Sequence, residues 1–245
     1  MINNREISLW LLCLIMSISL FSFSQKQFKF QENKGQLPNS VFSKVKVPGG
    51  SVFIEKGKFL YSFYNSKQLQ ERHDLTRKEN WIDAHSFSAT FLNSSKESEI
   101  IFSEKSNYFE NFYRSESKIE NVHFYKELEQ KNIYSGIDLK IYFDDNSLKY
   151  DLIIHPNASD EKIKIKYKGQ DNIFLRNGNL IIETSVNTVT ELAPYAYQII
   201  NDSICSVECQ FNLKNNVLSF DFPNAYDNTK DLVIDPTLIF STYSG

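Results

Sequence analysis

The pattern of hydrophobic and polar positions along the chain predicts β-strands joined by short turns. Phe87, Ala89 and Phe91 alternate with polar residues, so they share one face of a strand. Apolar runs on both sides of a polar turn predict hairpins over residues 52–64, 139–154, 173–183 and 205–222. The sequence therefore predicts an all-β fold that is antiparallel and sandwich-like, with little helix and with either two packed sheets or two subdomains.

Strict alternation over residues 205–213 predicts one continuous strand. Cys205, Cys209 and Phe211 fall on its apolar side, so both cysteines are expected to face the core. In an extended strand the Cα atoms of Cys205 and Cys209 would lie about 13 Å apart. A disulfide needs Cα atoms within about 7 Å. A bridge between these cysteines is therefore excluded unless the strand breaks between them.

Residues 66–81 interrupt the strand pattern. The segment is highly charged and does not alternate, which predicts a long polar connection with a helical turn or two. Trp81 stands at its end, where its indole ring is a candidate platform for stacking on a sugar. The alternative is a partly buried anchor at the approach to the next strand.

Composition and charge exclude some classes of protein. The net charge of -3 argues against a nucleic-acid binder that works by bulk charge. The sequence contains no glycine-rich phosphate loop and no nucleophile elbow. His73, His85, His123 and His155 are scattered without the spacing of metal ligands. We therefore expect a protein without a catalytic site, a metal or another cofactor.

The first 24 residues have the layout of a secretory signal peptide. Arg5 lies in a short polar start, an apolar run extends from Ile7 to Phe23, and small residues precede a cleavage point after Ser24. The alternative is an uncleaved anchor, for which the run is short of the ~20 apolar residues of a spanning helix. The sequence therefore predicts export, with no membrane association after cleavage.

The chain carries six short motifs in a fixed order. They are residues 30–36 (FQENKGQ), 107–109 (NYF), 134–139 (YSGIDL), 148–151 (LKYD), 194–198 (PYAYQ) and 232–237 (LVIDPT). In this order the motifs resemble a bacterial domain of unknown function. That domain lies at the front of large secreted proteins with SBBP (β-propeller-like) repeats, PKD modules and the gliding-motility-associated sorting tails of type IX secretion.

The resemblance implies an order of segments and a location. Together with the signal peptide over residues 1–24, it gives an all-β domain over residues 25–238, in which the change from a polar N-terminal half to a more regular C-terminal half indicates a weak boundary near residues 115–118. Residues 239–245 then resemble the opening of a first repeat, so the expected partners are repeat modules downstream. Leu37 departs from the family, which often has Trp at this position. The expected location is secreted or at the cell surface, with the periplasm as the alternative.

We interpret the motif residues physically as parts of the scaffold. Glycines free the backbone for turns, carboxylates and amides cap turns, and prolines fix the chain at strand ends. The residues so interpreted are Glu32, Asn33, Gly35, Gln36, Gly136, Asp138, Tyr150, Asp151, Pro194, Gln198, Asp235 and Pro236.

Two functions follow from the sequence. The first is a non-enzymatic, β-rich N-terminal module of a secreted or cell-surface bacterial protein, with a structural, adhesive or display role. The alternative is a secreted carbohydrate-binding or carbohydrate-active protein, for which Trp81 and the abundant Tyr and Phe residues would stack on sugars. The partner is then a surface glycan or a surface protein.

Overall fold

The computed structural model describes residues 29–71, 81–114, 117–144 and 147–242. The signal peptide predicted over residues 1–24 lies outside this part of the chain. The described residues form an all-β fold with almost no helix, and every strand pairing is antiparallel, which confirms the predicted fold class. The strands are β1 (Phe30–Glu32), β2 (Val41–Val47), β3 (Gly50–Glu55), β4 (Lys58–Tyr64), β5 (Ala84–Phe91), β6 (Glu99–Arg114), β7 (Ser117–Tyr134), β8 (Ile137–Asp144), β9 (Ser147–Ile154), β10 (Ile165–Lys168), β11 (Asn172–Arg176), β12 (Asn179–Glu183), β13 (Asn187–Glu191), β14 (Tyr195–Ile200), β15 (Ser203–Val207), β16 (Gln210–Lys214), β17 (Val217–Asp221), β18 (Leu232–Asp235) and β19 (Thr237–Thr242).

The strands form one large sheet that is nearly closed into a barrel-like shape. One wall runs in the order β16, β17, β10, β5, β4, β3, β2, β1 and β7. The sheet continues through β8, β9, β19, β13, β12 and β11, while β18 carries β14 and β15. The end strands β11 and β16 lie in contact, with no ladder between them among the described residues. The sequence suggests two packed sheets, whereas the structure has a single continuous sheet.

Residues with a left-handed backbone shape the tight hairpins. Asn177 and Gly178, with φ angles of 52° and 80°, connect β11 to β12. Asn215 and Asn216, with φ angles of 52° and 61°, connect β16 to β17. Two successive residues with positive φ are typical of a type I′ turn, which matches the right-handed twist of the paired strands. The hairpins predicted at these positions are confirmed.

The core fills the interior of the sheet. Alternate residues of the strands point inward, so β3 shows strictly alternating buried and half-buried positions. Aromatic rings line much of this interior: Tyr61 stacks on Phe87 with ring centroids 4.5 Å apart, and Phe59 meets Phe91 edge to face at 5.6 Å. The predicted inward face of Phe87, Ala89 and Phe91 is fully buried. Burial of this apolar area is the main source of stability.

The prediction of one strand over residues 205–213 is wrong. Strand β15 ends at Val207 and β16 begins at Gln210, because β15 pairs with β14 while β16 pairs with β17 in another part of the sheet. Within the described part of the chain, strand β15 pairs with β14 alone and is exposed at four of its five positions, so the Cys205 side chain is exposed, whereas Cys209 is half-buried against the core. Both are free thiols. The alternation identified strand residues but did not detect the change of partner between them.

Strands β6 and β7 form a long hairpin between residues 99 and 134, and β7 also pairs with β1 and β8. Strands β6 and β7 contain 16 and 18 residues, and their ladder is interrupted by bulges after Lys105 and Glu110. The predicted weak boundary near residues 115–118 falls at the tip of this hairpin, where residues 115 and 116 lie outside the described part. The bulged stretch of β6 leans over the outer face of β1 and β2, and a groove forms between them.

The polar segment after β4 begins with a short helix. Helix α1 (Ser66–Gln70) is capped by Asn65, whose side-chain oxygen accepts a hydrogen bond from the backbone N–H of Gln68 at 3.1 Å. Residues 72–80 of the predicted polar connection lie outside the described residues. Among the helices that the structure describes, none has the length and apolar character needed to cross a membrane.

Candidate functional site

The first sequence motif folds into a loop that is held by its own side chains. Asn33 donates its side-chain N–H to the carbonyl of Val41 at 2.7 Å, and its oxygen accepts the backbone N–H of Gly35 at 2.9 Å. Gln36 donates to the carbonyl of Glu32 at 2.5 Å. Gly35 has a φ of 111°, a conformation that residues with a Cβ rarely adopt. These hydrogen bonds satisfy the loop backbone between β1 and β2.

Glu32 of the same motif ties this loop to the long hairpin. Its Oε1 accepts the backbone N–H of His123 at 2.8 Å, and its Oε2 accepts the hydroxyl of Tyr125 at 3.4 Å. The residues of the first motif are therefore engaged within the fold.

Asp138 of the third motif sits buried at the start of β8. Its Oδ1 accepts the backbone N–H of Asn132 at 2.7 Å, and its Oδ2 accepts from Lys131 Nζ and His155 Nε2, both at 2.9 Å. Burial acts to raise the pKa of Asp138, but these three donors together lower it below its ordinary value. Gly136, with a φ of 78°, makes the turn that precedes the strand.

His155 connects Asp138 to a neighbouring loop. Its Nδ1 lies 3.1 Å from Oδ1 of Asp231, so the ring bridges two carboxylates. The hydrogen bond to Asp138 is the main cause that raises the pKa of His155 above its ordinary value. Within the described ranges, no group of three or more His, Cys, Asp or Glu side chains could hold a metal ion.

Asp151 and Asp235 face outward from β9 and β18. Tyr142 donates its hydroxyl to Asp151 at 3.1 Å, and Lys149 Nζ donates to Asp235 at 3.0 Å. Burial raises the pKa of Asp151 to about 6, and the nearby charge of Asp235 adds to the rise. The lysine and the tyrosine offset the repulsion between the two carboxylates. The four side chains therefore form a polar cluster across β8, β9 and β18.

The last two motifs lie at β14 and at the junction of β18 with β19. Gln198 is buried and holds the loop before β18: its Nε2 donates to the carbonyl of Asp227 at 2.7 Å, and its Oε1 accepts the backbone N–H of Asp227 at 3.0 Å. Pro194 precedes β14. Pro236, which has no N–H to donate, separates β18 from β19 where the chain changes its partner from β14 to β13.

Tyr150 belongs to a buried polar cluster that the sequence analysis did not identify. Tyr150 and Tyr167 donate their hydroxyls to Oε1 and Oε2 of Glu191, the latter at 3.1 Å. The Glu191 side chain lies in the core, with the residue only 1% exposed, and burial raises its pKa to about 7 despite both donors. Burial and Glu191 together raise the pKa of Tyr61, which lies close to the cluster. The cluster links β9 and β13 to β4 and β10 across the interior.

Alternation in the sequence contained a signal for this buried carboxylate. Asn187, Val189 and Glu191 occupy every second position of β13, and all three are buried. A strand whose inward face ends in a carboxylate predicts a buried polar partner. The partner hydroxyls come from strands far away along the chain, so the sequence pattern could not name them.

Trp81 is a surface side chain. It is 62% exposed and precedes β5. It does not line the groove beside the long hairpin.

That groove has a volume of about 840 Å³. Its floor is the outer face of β1 and β2, and its far wall is the bulged stretch of β6 with the facing part of β7. We call it the lysine–tyrosine groove, after the residues that define it: Lys29, Lys44, Lys46, Tyr64, Tyr108 and Phe124.

The lysines of the groove stand beside a carboxylate that is already engaged. Glu110 accepts hydrogen bonds from Gln31 Nε2 at 2.7 Å and from the Tyr108 hydroxyl at 3.1 Å. Lys44 lies over the ring of Phe53, with its Nζ 5.5 Å from the ring centroid. Burial lowers the pKa of Lys44, and the positive charge of Lys46 adds to this effect while Glu110 opposes it.

Fold and groove together define the class of protein to which the chain belongs. It is an all-β domain built from one antiparallel sheet, with a basic and aromatic groove on its outer face. Residues 30–237 match a family described as Domain of unknown function (DUF7948), and the chain belongs to this family. No curated protein and no solved structure matches the chain. Membership confirms the resemblance to a domain of unknown function, and the setting among repeats and sorting tails stays a prediction.

Proposed function

We propose that the chain is a non-enzymatic, β-rich N-terminal module of a secreted or cell-surface bacterial protein, with a structural, adhesive or display role. The supporting observation is how the motif side chains are used. Asn33 and Gln36 bond to backbone groups of their own loop, Gln198 bonds to the backbone of the loop before β18, and Asp138 is enclosed by three donors. Groups held in this way brace a scaffold, and the open groove is a part of the surface that a partner could contact.

The location within the proposal rests on the sequence of the N-terminus. An apolar run from Ile7 to Phe23 followed by Ser24 is the layout that export machinery recognises. Repeat modules downstream would then present the domain away from the cell. Adhesion or display requires a domain with a stable shape and a contact surface. The continuous sheet provides the shape, and its groove provides a contact surface.

Export is tested with the full chain carrying a C-terminal tag in a bacterial host that has two membranes. We expect the tagged chain outside the cytoplasm, with a mature N-terminus at Gln25. The matched control is Leu12→Arg, which places a charge in the apolar run and is expected to retain the chain in the cytoplasm. An intact N-terminus on a cytoplasmic chain would contradict the proposed location.

The adhesive role needs its own measurement. Cells that display the exported chain are compared with cells that express Leu12→Arg for retention on surfaces coated with bacterial polysaccharide or protein. Higher retention with the exported chain supports adhesion. Equal retention on every surface, together with turnover of a glycan in the medium, would replace adhesion by an enzymatic role.

A second candidate function is carbohydrate binding, and the aromatic residues favour it. Trp81 and the groove residue Tyr108 are 62% and 56% exposed, and aromatic rings at a protein surface can stack on sugars. A glycan array separates two sites: loss of binding in Trp81→Ala but not in Tyr108→Ala assigns the sugar to the indole, and the reverse assigns it to the groove. An array without binding would remove this candidate.

A further inference from the structure

The lysine–tyrosine groove has cationic groups that the fold itself leaves without anionic partners. Lys44 and Lys46 make no ion pair within the part of the chain that the structure describes, and they lie two positions apart on the same face of β2. Lys29 Nζ donates to the hydroxyl of Ser106 at 3.0 Å. Lys44 and Lys46 therefore place two positive charges in the groove.

The one carboxylate that lines the groove, Glu110, does not balance the charge of three lysines. Both oxygens of Glu110 accept hydrogen bonds, from Gln31 and from Tyr108, so this carboxylate holds the floor against the wall. The groove thus carries three lysines against one acidic side chain, although the chain as a whole has a net charge of -3. A local charge opposite to the charge of the whole protein favours an anionic ligand.

The walls add flat aromatic surface beside the charges. Tyr108 packs against Phe124 with ring centroids 5.2 Å apart, and Tyr64, which is 38% exposed, also lines the groove. Aromatic rings with an apolar face and a polar edge suit ligands that alternate in the same way, as the rings of sugars do. An anionic ligand with flat apolar faces fits this lining better than an extended acidic peptide, which would use the charges alone.

We propose that the lysine–tyrosine groove binds an acidic saccharide, with Lys44 and Lys46 contacting its carboxylate or sulfate groups and Tyr108 stacking on a sugar ring. This inference rests on the proposed interaction role and names the ligand class for it. Lysine contacts anionic oxygens as a point charge without the fixed geometry of arginine. The same lysines therefore accept carboxylate or sulfate, and the rings select for the saccharide.

The test measures binding of the exported, mature chain to four polymers by titration calorimetry. These are alginate oligosaccharides, dextran sulfate, unsulfated dextran and poly-glutamate. We expect binding to alginate or dextran sulfate that weakens as salt rises, because exposed charges are screened. Dextran should not bind, and poly-glutamate should bind at least about tenfold more weakly.

Variants locate the binding in the groove. We expect the double variant Lys44→Gln with Lys46→Gln to bind more weakly, with a dissociation constant that rises by about tenfold for each lysine removed. The matched control, Lys214→Gln with Lys230→Gln, removes the same charge from exposed positions elsewhere and should change binding by less than about twofold. Circular dichroism confirms that each variant is folded.

A second pair of variants tests the aromatic wall. Tyr108→Ala should weaken binding by about threefold to tenfold, the range expected for one stacking ring. Tyr113→Ala is the control, because Tyr113 is also an exposed tyrosine of β6 but does not line the groove. Equal effects of the two substitutions would contradict stacking at the wall.

The remaining outcomes each overturn the inference. Equal binding of dextran and dextran sulfate would show that the charges are not used, and equal binding of poly-glutamate would assign the groove to acidic polypeptides. No binding at about 1 mM of any polymer would leave the groove without this role. If the chain is exported and increases retention of cells while the groove variants behave like the parent, this inference fails and the proposed function stands.

Discussion

The buried carboxylate of Glu191 makes a quantitative prediction about stability and pH. We consider Glu191→Gln, which keeps the shape of the side chain and an acceptor for one tyrosine hydroxyl but removes the ionisable group. The ordinary pKa of the side chain is 4.5, and burial raises it to about 7 in the folded protein. Each pKa unit corresponds to about 1.4 kcal/mol, so the difference amounts to ~3 kcal/mol.

The sign follows from which state holds the proton more tightly. The folded state keeps the proton of Glu191 up to about pH 7, whereas the unfolded chain releases it near 4.5. The stability associated with the protonated carboxyl is therefore complete below pH 4.5, and it is lost as pH rises toward 7. Above pH 7 the carboxylate is charged in both states and the loss is complete.

The assay is urea unfolding of parent and variant at a series of pH values from 4 to 8. Other titrating groups are shared by the two proteins, so the difference between their free energies of unfolding isolates Glu191. We expect the parent to lose ~3 kcal/mol relative to Glu191→Gln across this range. The control Glu208→Gln removes an exposed carboxylate and should stay within about 0.5 kcal/mol of the parent.

A companion variant probes the hydrogen bonds. Tyr167→Phe removes one donor to the carboxylate, which should raise the pKa of Glu191 further and shift the loss of stability to higher pH. A difference between parent and Glu191→Gln that stays constant from pH 4 to 8 would refute the reasoning, because it would mean that the carboxylate titrates alike in the folded and unfolded chain.

Three further predictions concern the scaffold. Gln198→Ala should lower the free energy of unfolding by about 1–3 kcal/mol, because the loop before β18 loses its buried partner; unchanged urea unfolding would contradict this. Gly50→Ala should destabilise by at least about 2 kcal/mol, since its Cβ would lie 2.1 Å from the carbonyl oxygen of Ser62; a melting temperature equal to the parent's would refute the clash. Cys205 should react rapidly with a thiol reagent and Cys209 slowly, because burial raises the pKa of Cys209 to about 12; Cys205→Ser should abolish the fast phase, and its persistence would contradict the assignment.

Local features of the fold could be predicted because they depend on neighbouring residues. The inward face of β5 follows from alternation, and the turn at Asn177 and Gly178 follows from the ability of these residues to adopt positive φ. Such signals are contained within a few positions. They identify strands and hairpins without any knowledge of the rest of the chain.

Features that depend on distant strands could not be predicted. The sequence alternates from Cys205 to Phe211, yet β15 is exposed at four of its five positions and the chain changes pairing partner after Val207, which only the sheet order shows. A two-residue period continues unchanged through a break when the number of intervening residues is even. Pattern and partner are therefore separate pieces of information.

The residues of the candidate site also include some that a local pattern reveals and others that depend on distant strands. The alternating lysines at 44 and 46 are visible in the sequence, but Tyr108 and Phe124 reach the groove from a hairpin more than sixty residues later. Glu191 likewise depends on Tyr150 and Tyr167 from two other strands. A site whose parts come from different strands becomes recognisable only when the register of the sheet is known.

The position of β18 and β19 has a consequence for how the chain is made. Among the described ladders, these two strands alone connect β11–β15 to the rest of the sheet, through β9 on one side and through β13 and β14 on the other. A ribosome delivers residues 232–242 after all their partners. Until then β9, β13 and β14 each present an open edge that can pair with another chain. The nascent domain is therefore open to pairing with other chains until β18 and β19 emerge and cover these edges.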